Sequence, residues 1–398
     1  MNLSDKTLAV YYHMPFVIKE DCILSNPVIG TFIESLVPYF AKVMVFGFEC
    51  VINQDRISYR LPYNAKIQFI SLGPEGRFWD HVQNRIRIKK TVRKYKSKID
   101  ILLLRLPSFK AYSVWKHLGK PPLTSLLFVG NPLLNPNTVV KNSFDYMFRR
   151  YRSKLFNKRM KKLCREAATI VFVNSESLVD VWGEILDKQV ILIHTSSISD
   201  SDIFICNSIR KFNNTPIKLL FVGRVCFDKG IRELFDALNI LNQDNNTKYH
   251  LDIVGAEDNL GSNTLKQLAK KYGVQNAISH HGVVPFGEKL FEFYRNADAY
   301  ILPSYHEGMP HSIWESISQG TPVISTPVGG VGDFFNDGEN ILFLKVRDSK
   351  SIVEVVQKLK NDKQLQSTLI KNGFKKVFKI TRESQSEKIV TLMKRNWN

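Results

Sequence analysis

The sequence predicts an α/β protein made of two doubly wound, parallel-sheet domains, and three observations carry this. Short apolar runs of strand length alternate with longer amphipathic segments in both halves of the chain, the order of a parallel sheet wrapped by helices. A chain of 398 residues is long enough for two domains, each with its own core. Ser199 to Thr215 is polar and without periodicity, which marks a linker between two patterned regions. The expected division is a first domain over 1–200, a linker over 201–215, a second domain over 216–378 and a final helix over 379–398.

In the first domain, Leu8 to Tyr12 is apolar and reads as a central strand. A long loop from His13 to Ile29 follows, ending at Gly30 before an amphipathic segment, Thr31 to Ala41. Val43 to Gly47 is the second strand and Ile67 to Ile70 another. No G-x-G-x-x-G accompanies them, so a dinucleotide fingerprint is not expected. Ile99 to Leu104 is a strand that runs into Arg105, and an arginine at the carboxyl end of a parallel strand can meet an anionic ligand. A surface ion pair is the equal alternative. Leu123 to Val129 gives way to Gly130-Asn131-Pro132, and Thr169 to Val173 and Val190 to His194 close the domain.

The second domain opens with a strand, Lys218 to Val222, then Gly223-Arg224 and Asp228-Lys229-Gly230 before a helix through Leu241. Arg224 and Lys229 stand five apart on a loop after a strand, where two cations can neutralise a diphosphate; solvated turn charges are the alternative. Tyr249 to Val254 is the next strand. Ile278 to Gly282 leads to the loop Val283-Val284-Pro285, with His280 and His281 read as satisfied histidines of a strand-end turn.

From Ala299 to Gly332 the order is strand, loop, helix, strand, loop, a single parallel crossover unit. Its loop holds Glu307-Gly308-Met309-Pro310. Its helix, His311 to Gln319, stops at Gly320, a residue suited to the left-handed position past a helix end. Glu307 and Glu315 can both face a ligand held at the helix N-terminus, where carboxylates accept from paired hydroxyls beside a phosphate. A capping Glu307 and a solvated Glu315 are the alternative. Ile341 to Val346 and Ser349 to Asn361 complete the domain, and Thr381 to Asn398 reads as the last helix.

Glu307 to Glu315 resembles the E-x7-E element of retaining nucleotide-sugar glycosyltransferases with the GT-B fold, the family-4 group. Gly223-Arg224 with Lys229-Gly230 resembles the same family's G-R-x4-K-G element. The resemblance covers residues 216 to 375 with specific motifs and the first domain by topology alone. It implies two Rossmann-like domains facing a cleft, with the last helix crossing back to the first. It also implies a hexosyltransferase-type enzyme that moves a sugar from a nucleotide-sugar donor to an acceptor hydroxyl with retention. On this resemblance Arg224 and Lys229 hold the donor's diphosphate, and Glu307 with the amides of Gly308 and Met309 positions the sugar. Pro310 completes that match, Glu315 holds the ribose, and the loop at Val284 meets the base through its backbone. Gly30 falls where the family has a glycine-bearing loop near phosphate and acceptor, a simple turn being the alternative. The histidine many members carry near Gly130 is missing here. No cofactor besides the donor is implied, and a metal-independent reaction is expected.

Composition bounds the partners. The hydrophobic and charged shares, 44% and 23%, are those of a globular protein. Five scattered cysteines without metal or redox spacing point to reduced thiols in a cytosol. A signal peptide and a membrane span are not expected, because the start is not basic and no apolar run reaches about 18 residues. The formal charge is +19, and residues 1–200 hold 30 Lys/Arg against 16 Asp/Glu. Arg85–Lys98 has eight basic residues and no acidic one; Lys141–Arg165 has ten basic residues, one acidic residue and an apolar face. Such segments suit an anionic membrane surface, a lipid-diphosphate-linked acceptor or nucleic acid, and equally a core-facing helix with a solvated basic side. Polysaccharide assembly at the inner face of the cell membrane is the expected setting, with nucleic acid not expected. A GT-B sugar-nucleotide epimerase and a basic binding protein are the competing classes.

Overall fold

The computed structural model describes residues 2–20, 22–50, 59–62, 65–74, 78–121, 123–129, 143–174, 178–180, 183, 190–194, 196–205, 212, 215–243, 248–258, 260 and 264–396, with backbone alone at 78–85 and 143–152. The chain forms two units, one of Met1–Ser197 with Arg382–Asn398 and one of Ile198–Thr381.

Unit 1 is built on a sheet of β1 (Thr7–Ile18), β2 (Cys22–Ser25), β3 (Lys42–Glu49), β4 (Tyr59–Pro62), β5 (Ile67–Pro74), β6 (Ile101–Leu106), β7 (Leu123–Phe128), β8 (Ile170–Val173) and β9 (Val190–Leu192). The parallel strands run β5-β3-β1-β6-β7-β8-β9, and β2 and β4 extend the far end of β1 antiparallel. Central strands such as β6 are nearly continuous apolar runs because helices cover both faces. In chain order of the parallel strands this is 3-2-1-4-5-6-7, so the order reverses between β1 and β6.

Several expectations need correction here. The first strand does not end at Tyr12: it continues to Ile18 through an irregularity between Tyr11 and Pro15, where β1 carries extra residues relative to β3. The helix begins at Pro27, not after Gly30. Asn26 accepts the Val28 N–H (3.1 Å), and a proline at the first helical position lacks an N–H that would be unpaired anyway.

The basic helix Ser143–Glu166 turns Phe156, Met160, Leu163 and Cys164 into the unit 1 core, with Lys154, Lys158, Lys161, Lys162 and Arg165 outside. In this half the apolar face is already covered, so only the charged side faces solvent. In the helix Phe78–Arg93, Ile88 and Val92 are buried and Ile86 is 71% exposed among Arg87, Lys89 and Lys90. The helix Arg382–Arg395 packs Ile389, Val390 and Met393 into unit 1. Arg382 pairs with Glu34 (3.2 Å), and Gln385 accepts the His194 N–H (2.7 Å).

Unit 2 has β10 (Ile217–Val222), β11 (Tyr249–Val254), β12 (Ile278–His280), β13 (Ala299–Leu302), β14 (Val323–Ser325) and β15 (Leu342–Phe343), all parallel, in the order β12-β11-β10-β13-β14-β15. That order, 3-2-1-4-5-6, reverses between β10 and β13. The described residues of the segment expected as a linker make contacts with this unit. Phe212 is in its core, the Phe204 N–H donates to Ser318 O (2.8 Å), and Gln319 Nε2 donates to Asp202 O (2.6 Å). No helix among the described residues is long and apolar enough to cross a membrane.

Candidate functional site

In an open parallel sheet a ligand binds outside the carboxyl ends of the strands at the point of reversal, which in unit 2 is the mouth of β10 and β13. After β10 comes Gly223 at φ +154°, then Arg224, then a short turn Phe227–Lys229 closed by Gly230 at φ +71°. A Cβ on Gly230 would strike the Pro303 carbonyl, so only glycine lets the two loops meet. The Tyr305 N–H donates to Asp228 O (2.8 Å) and fastens them. Lys229 Nζ forms an ion pair with Glu307 Oε1, and both side chains are mostly buried. Ser304 Oγ donates to the same oxygen (2.7 Å).

The loop after β14 approaches from the other side. Gly329 lies at φ +55° where a Cβ would collide with the Glu307 carbonyl, and the Gly330 N–H donates to Gly308 O (2.7 Å). A Cβ on Gly308 would meet nothing, so this glycine borders open space. Met309 packs on the core, and Pro310 is the N-cap of the helix His311–Ser318, offering no capping side chain to its first amides. Glu315, inside that helix, is only 8% exposed, so it is not a solvated carboxylate. Tyr294 OH donates to its Oε2 (2.8 Å). Burial pushes the Glu315 carboxyl up to about 7, and the tyrosine's hydrogen bond pulls against that rise.

Arg224 sits at the rim, 56% exposed, bonded to Asp258 (2.7 Å), which holds its charge. The two loops around it are joined through the backbone, Val225 N–H to Ala256 O (2.8 Å) and Asp258 N–H to Val225 O (2.9 Å). Val284 is half-buried against the core beside exposed Val283. His280 Nε2 bonds Gly255 O (2.8 Å) and His281 Nε2 bonds Asp252 (2.7 Å), so both are satisfied.

The same point of reversal in unit 1 receives Arg105 but not Gly30. Gly30 is buried in the helix Pro27–Leu36 with its N–H bonded to Asn26 O (3.0 Å), and a Cβ there would run into the Tyr59 ring. It packs against Tyr59 from within a helix, not on the loop that was expected to carry it. Arg105, at the end of β6, lies 4.2 Å from the centroid of the Tyr12 ring. Gly130-Asn131-Pro132 lies outside the described residues.

Tyr294, Ser304 and Asp258 were not legible beforehand. Tyr294 reaches Glu315 from a different helix, Glu288–Asn296, and nothing local in sequence announces that contact. Ser304, three residues before Glu307, is the one that spacing could have suggested. Among the described residues no group of three His, Cys, Asp or Glu is arranged to hold a metal. The D-x-D spacing at Asp200-Ser201-Asp202 forms a capped turn in which Asp202 accepts the Ser199 N–H (2.8 Å).

Residues 197–376, which fall almost wholly in unit 2, match the family model "Glycosyl transferases group 1". The chain is similar to the capsular polysaccharide biosynthesis glycosyltransferase CapM of Staphylococcus aureus, 30% identical over 171 residues, 42% of this chain and 43% of that one. It spans less than half the length of the curated relatives it matches. Among solved structures it is similar to a glycosyltransferase from Rickettsia africae ESF-5, with TM-score 0.70 and 14% identity over 99% of both chains. Anabaena Alr3699/HepE in complex with UDP follows at TM-score 0.66 and 16% identity, covering 98% of this chain and 100% of that one. At these identities the likeness concerns the fold, which is GT-B with two Rossmann-like units.

Proposed function

Residues 197–376 belong to glycosyl transferases group 1, and from that premise we propose that the chain moves a sugar from a nucleotide-sugar donor to an acceptor hydroxyl with retention at the anomeric carbon. The carrying observation is the Lys229–Glu307 pair at the mouth of β10 and β13. A donor diphosphate competes with Glu307 for Lys229. As it docks, Lys229 and Arg224 take the charge that grows when the bond from sugar to phosphate breaks, the dominant electrostatic task of the step. Glu307, relieved of its cation, accepts from sugar hydroxyls beside the Gly308 and Met309 amides, with Pro310 setting the helix start. Glu315 accepts from the ribose through Oε1, since Tyr294 occupies Oε2. The backbone at Val284 meets the base. Two protein cations serve the leaving group, so the transfer is proposed to run without a metal and without a further cofactor.

The acceptor proposed is a lipid-diphosphate-linked glycan of surface polysaccharide assembly. Support comes from the relative named for capsular polysaccharide biosynthesis and from the basic surface of unit 1. Arg85–Lys98 and Lys141–Arg165 would hold the protein on the inner face of an anionic membrane, each basic residue adding about 1 kcal/mol near the surface. The test is thermal stabilisation by UDP-, GDP- and ADP-sugars at about a hundred times Kd, worth roughly 2.7 kcal/mol, followed by identification of the product anomer. One nucleotide series stabilising the wild type but not Lys229→Ala supports the assignment. Equal stabilisation of both proteins, or an inverted product, overturns it.

A further inference from the structure

At the reversal point of unit 1, the ladder between β1 and β6 ends at Tyr11 and Leu104, so the two strands part immediately before Tyr12 and Arg105. The irregularity of β1 between Tyr11 and Pro15 falls on the same residues. Bulges of this kind re-aim side chains and gather beside ligand sites. Tyr12 is buried and its ring lies against the Arg105 guanidinium, while His13 stacks on Tyr12 at 5.8 Å between centroids. No carboxylate among the described residues neutralises Arg105, whose surroundings disfavour its charged form through burial. His13 Nδ1 is buried without a hydrogen-bond partner. A desolvated guanidinium without a counter-charge and a buried ring nitrogen without a partner each carry a penalty that one anion would relieve.

We infer that the mouth of β1 and β6 is an anion site in which Arg105 and His13 take a phosphoryl group. Arg105 supplies a planar fork fixed by the Tyr12 ring, and His13 Nδ1 supplies a donor once the imidazole takes a proton. Ser108, on the loop beyond β6, is engaged with Tyr11 (2.8 Å) and Lys110 lies over the Phe48 ring, so neither is the central receptor. Assigning the phosphoryl group to the acceptor rests on the transferase proposal; that an anion binds does not. Burial first and Arg105 second push the His13 imidazole down to about 4, so it is neutral in the free protein at pH 7. A bound anion offsets the Arg105 charge and favours the protonated imidazole, against the burial that remains.

The full chain with 13C-labelled histidine, His13 identified by His13→Asn, is titrated by NMR with and without inorganic pyrophosphate. The expected result is a His13 midpoint raised by at least one pH unit with pyrophosphate, unchanged by acetate, and no longer responsive in Arg105→Gln. Arg105→Lys, which keeps the charge and loses the fork, weakens the response several-fold and serves if the glutamine variant does not fold. A short prenyl diphosphate that acts at lower concentration than pyrophosphate assigns the phosphoryl group to a lipid-linked source; equal potency assigns it to a soluble one. A His13 signal silent to both diphosphates, or moved only by phosphatidylglycerol vesicles, overturns the site. UDP binding is measured in the same samples: a silent His13 beside normal UDP binding sinks the anion site alone, whereas a responsive His13 without nucleotide binding sinks the donor assignment alone.

Discussion

In unit 2 the strand pair at the reversal, β10 and β13, leads to a lysine and a glutamate that neutralise each other. In unit 1 the matching pair, β1 and β6, leads to a histidine and an arginine that cannot. One strand order thus supports two electrostatic states. A paired site is stable when empty and must exchange one partner for another when ligand arrives. An unpaired site is already short of a partner, and ligand relieves it. The contrast separates a place that discriminates by competition from one that draws an anion in.

The largest expected effect breaks the paired side. Lys229→Ala lowers the transfer rate by about 10²–10³-fold, the range for losing one charge-stabilising group, as measured with labelled donor. It also leaves Glu307 buried without its cation, at a cost of about 3 kcal/mol. Lys229→Met combined with Glu307→Gln restores the denaturant midpoint and not the turnover; wild-type turnover in either protein would dismiss the site. Next comes the backbone that sets the mouth of β10. A Cβ on Gly255, at φ +141°, would strike the Gly223 carbonyl, so Gly255→Ala costs about 1–3 kcal/mol of stability. Gly308→Ala meets nothing and leaves the midpoint in place.

Glu315 sharpens the comparison through pH. Its folded carboxyl titrates at about 7 and its unfolded one near 4.5, so between these values the folded state binds more protons and this group's contribution to stability falls as pH rises. In the proposed ribose-binding role, hydroxyls donate more strongly to the ionised form. Nucleotide affinity is therefore expected to drop by about tenfold per pH unit below about 7, with Glu315→Gln flat across the same range; calorimetry at pH 6 and 8 decides. The smallest effect lies in unit 1. Tyr12→Leu removes the ring beneath Arg105 and weakens pyrophosphate binding by about 1 kcal/mol, read from the His13 titration.

The legible part of the molecule was local. The β10 and β13 runs, the glycines after them and the E-x7-E spacing all lie within short windows, where apolar periodicity and turn residues speak directly. Glu315 could be placed on its helix, yet its burial could not be foreseen. Its buried hydrogen-bond partner, Tyr294, lies 21 residues earlier on another element. The packing around Gly30 is equally non-local: its neighbour Tyr59 arrives through the pairing of β2 with β4, a long-range antiparallel contact. His13 looked like the start of a loop because Pro15 interrupts the apolar run, whereas β1 passes the interruption by bulging.

The helix Arg382–Arg395 has a consequence for how the protein is made. Its Ile389, Val390 and Met393 complete the core that Ile33, Leu36 and Val43 begin. A ribosome emits the chain from the amino end and domains generally fold in that order, but unit 1 lacks these side chains until all of unit 2 has been synthesised. Unit 2 can therefore reach its finished core before unit 1 does. In the interval the apolar surface around Ile33 and Leu36 waits uncovered, and that is the stage at which a nascent chain of this protein would most need a chaperone.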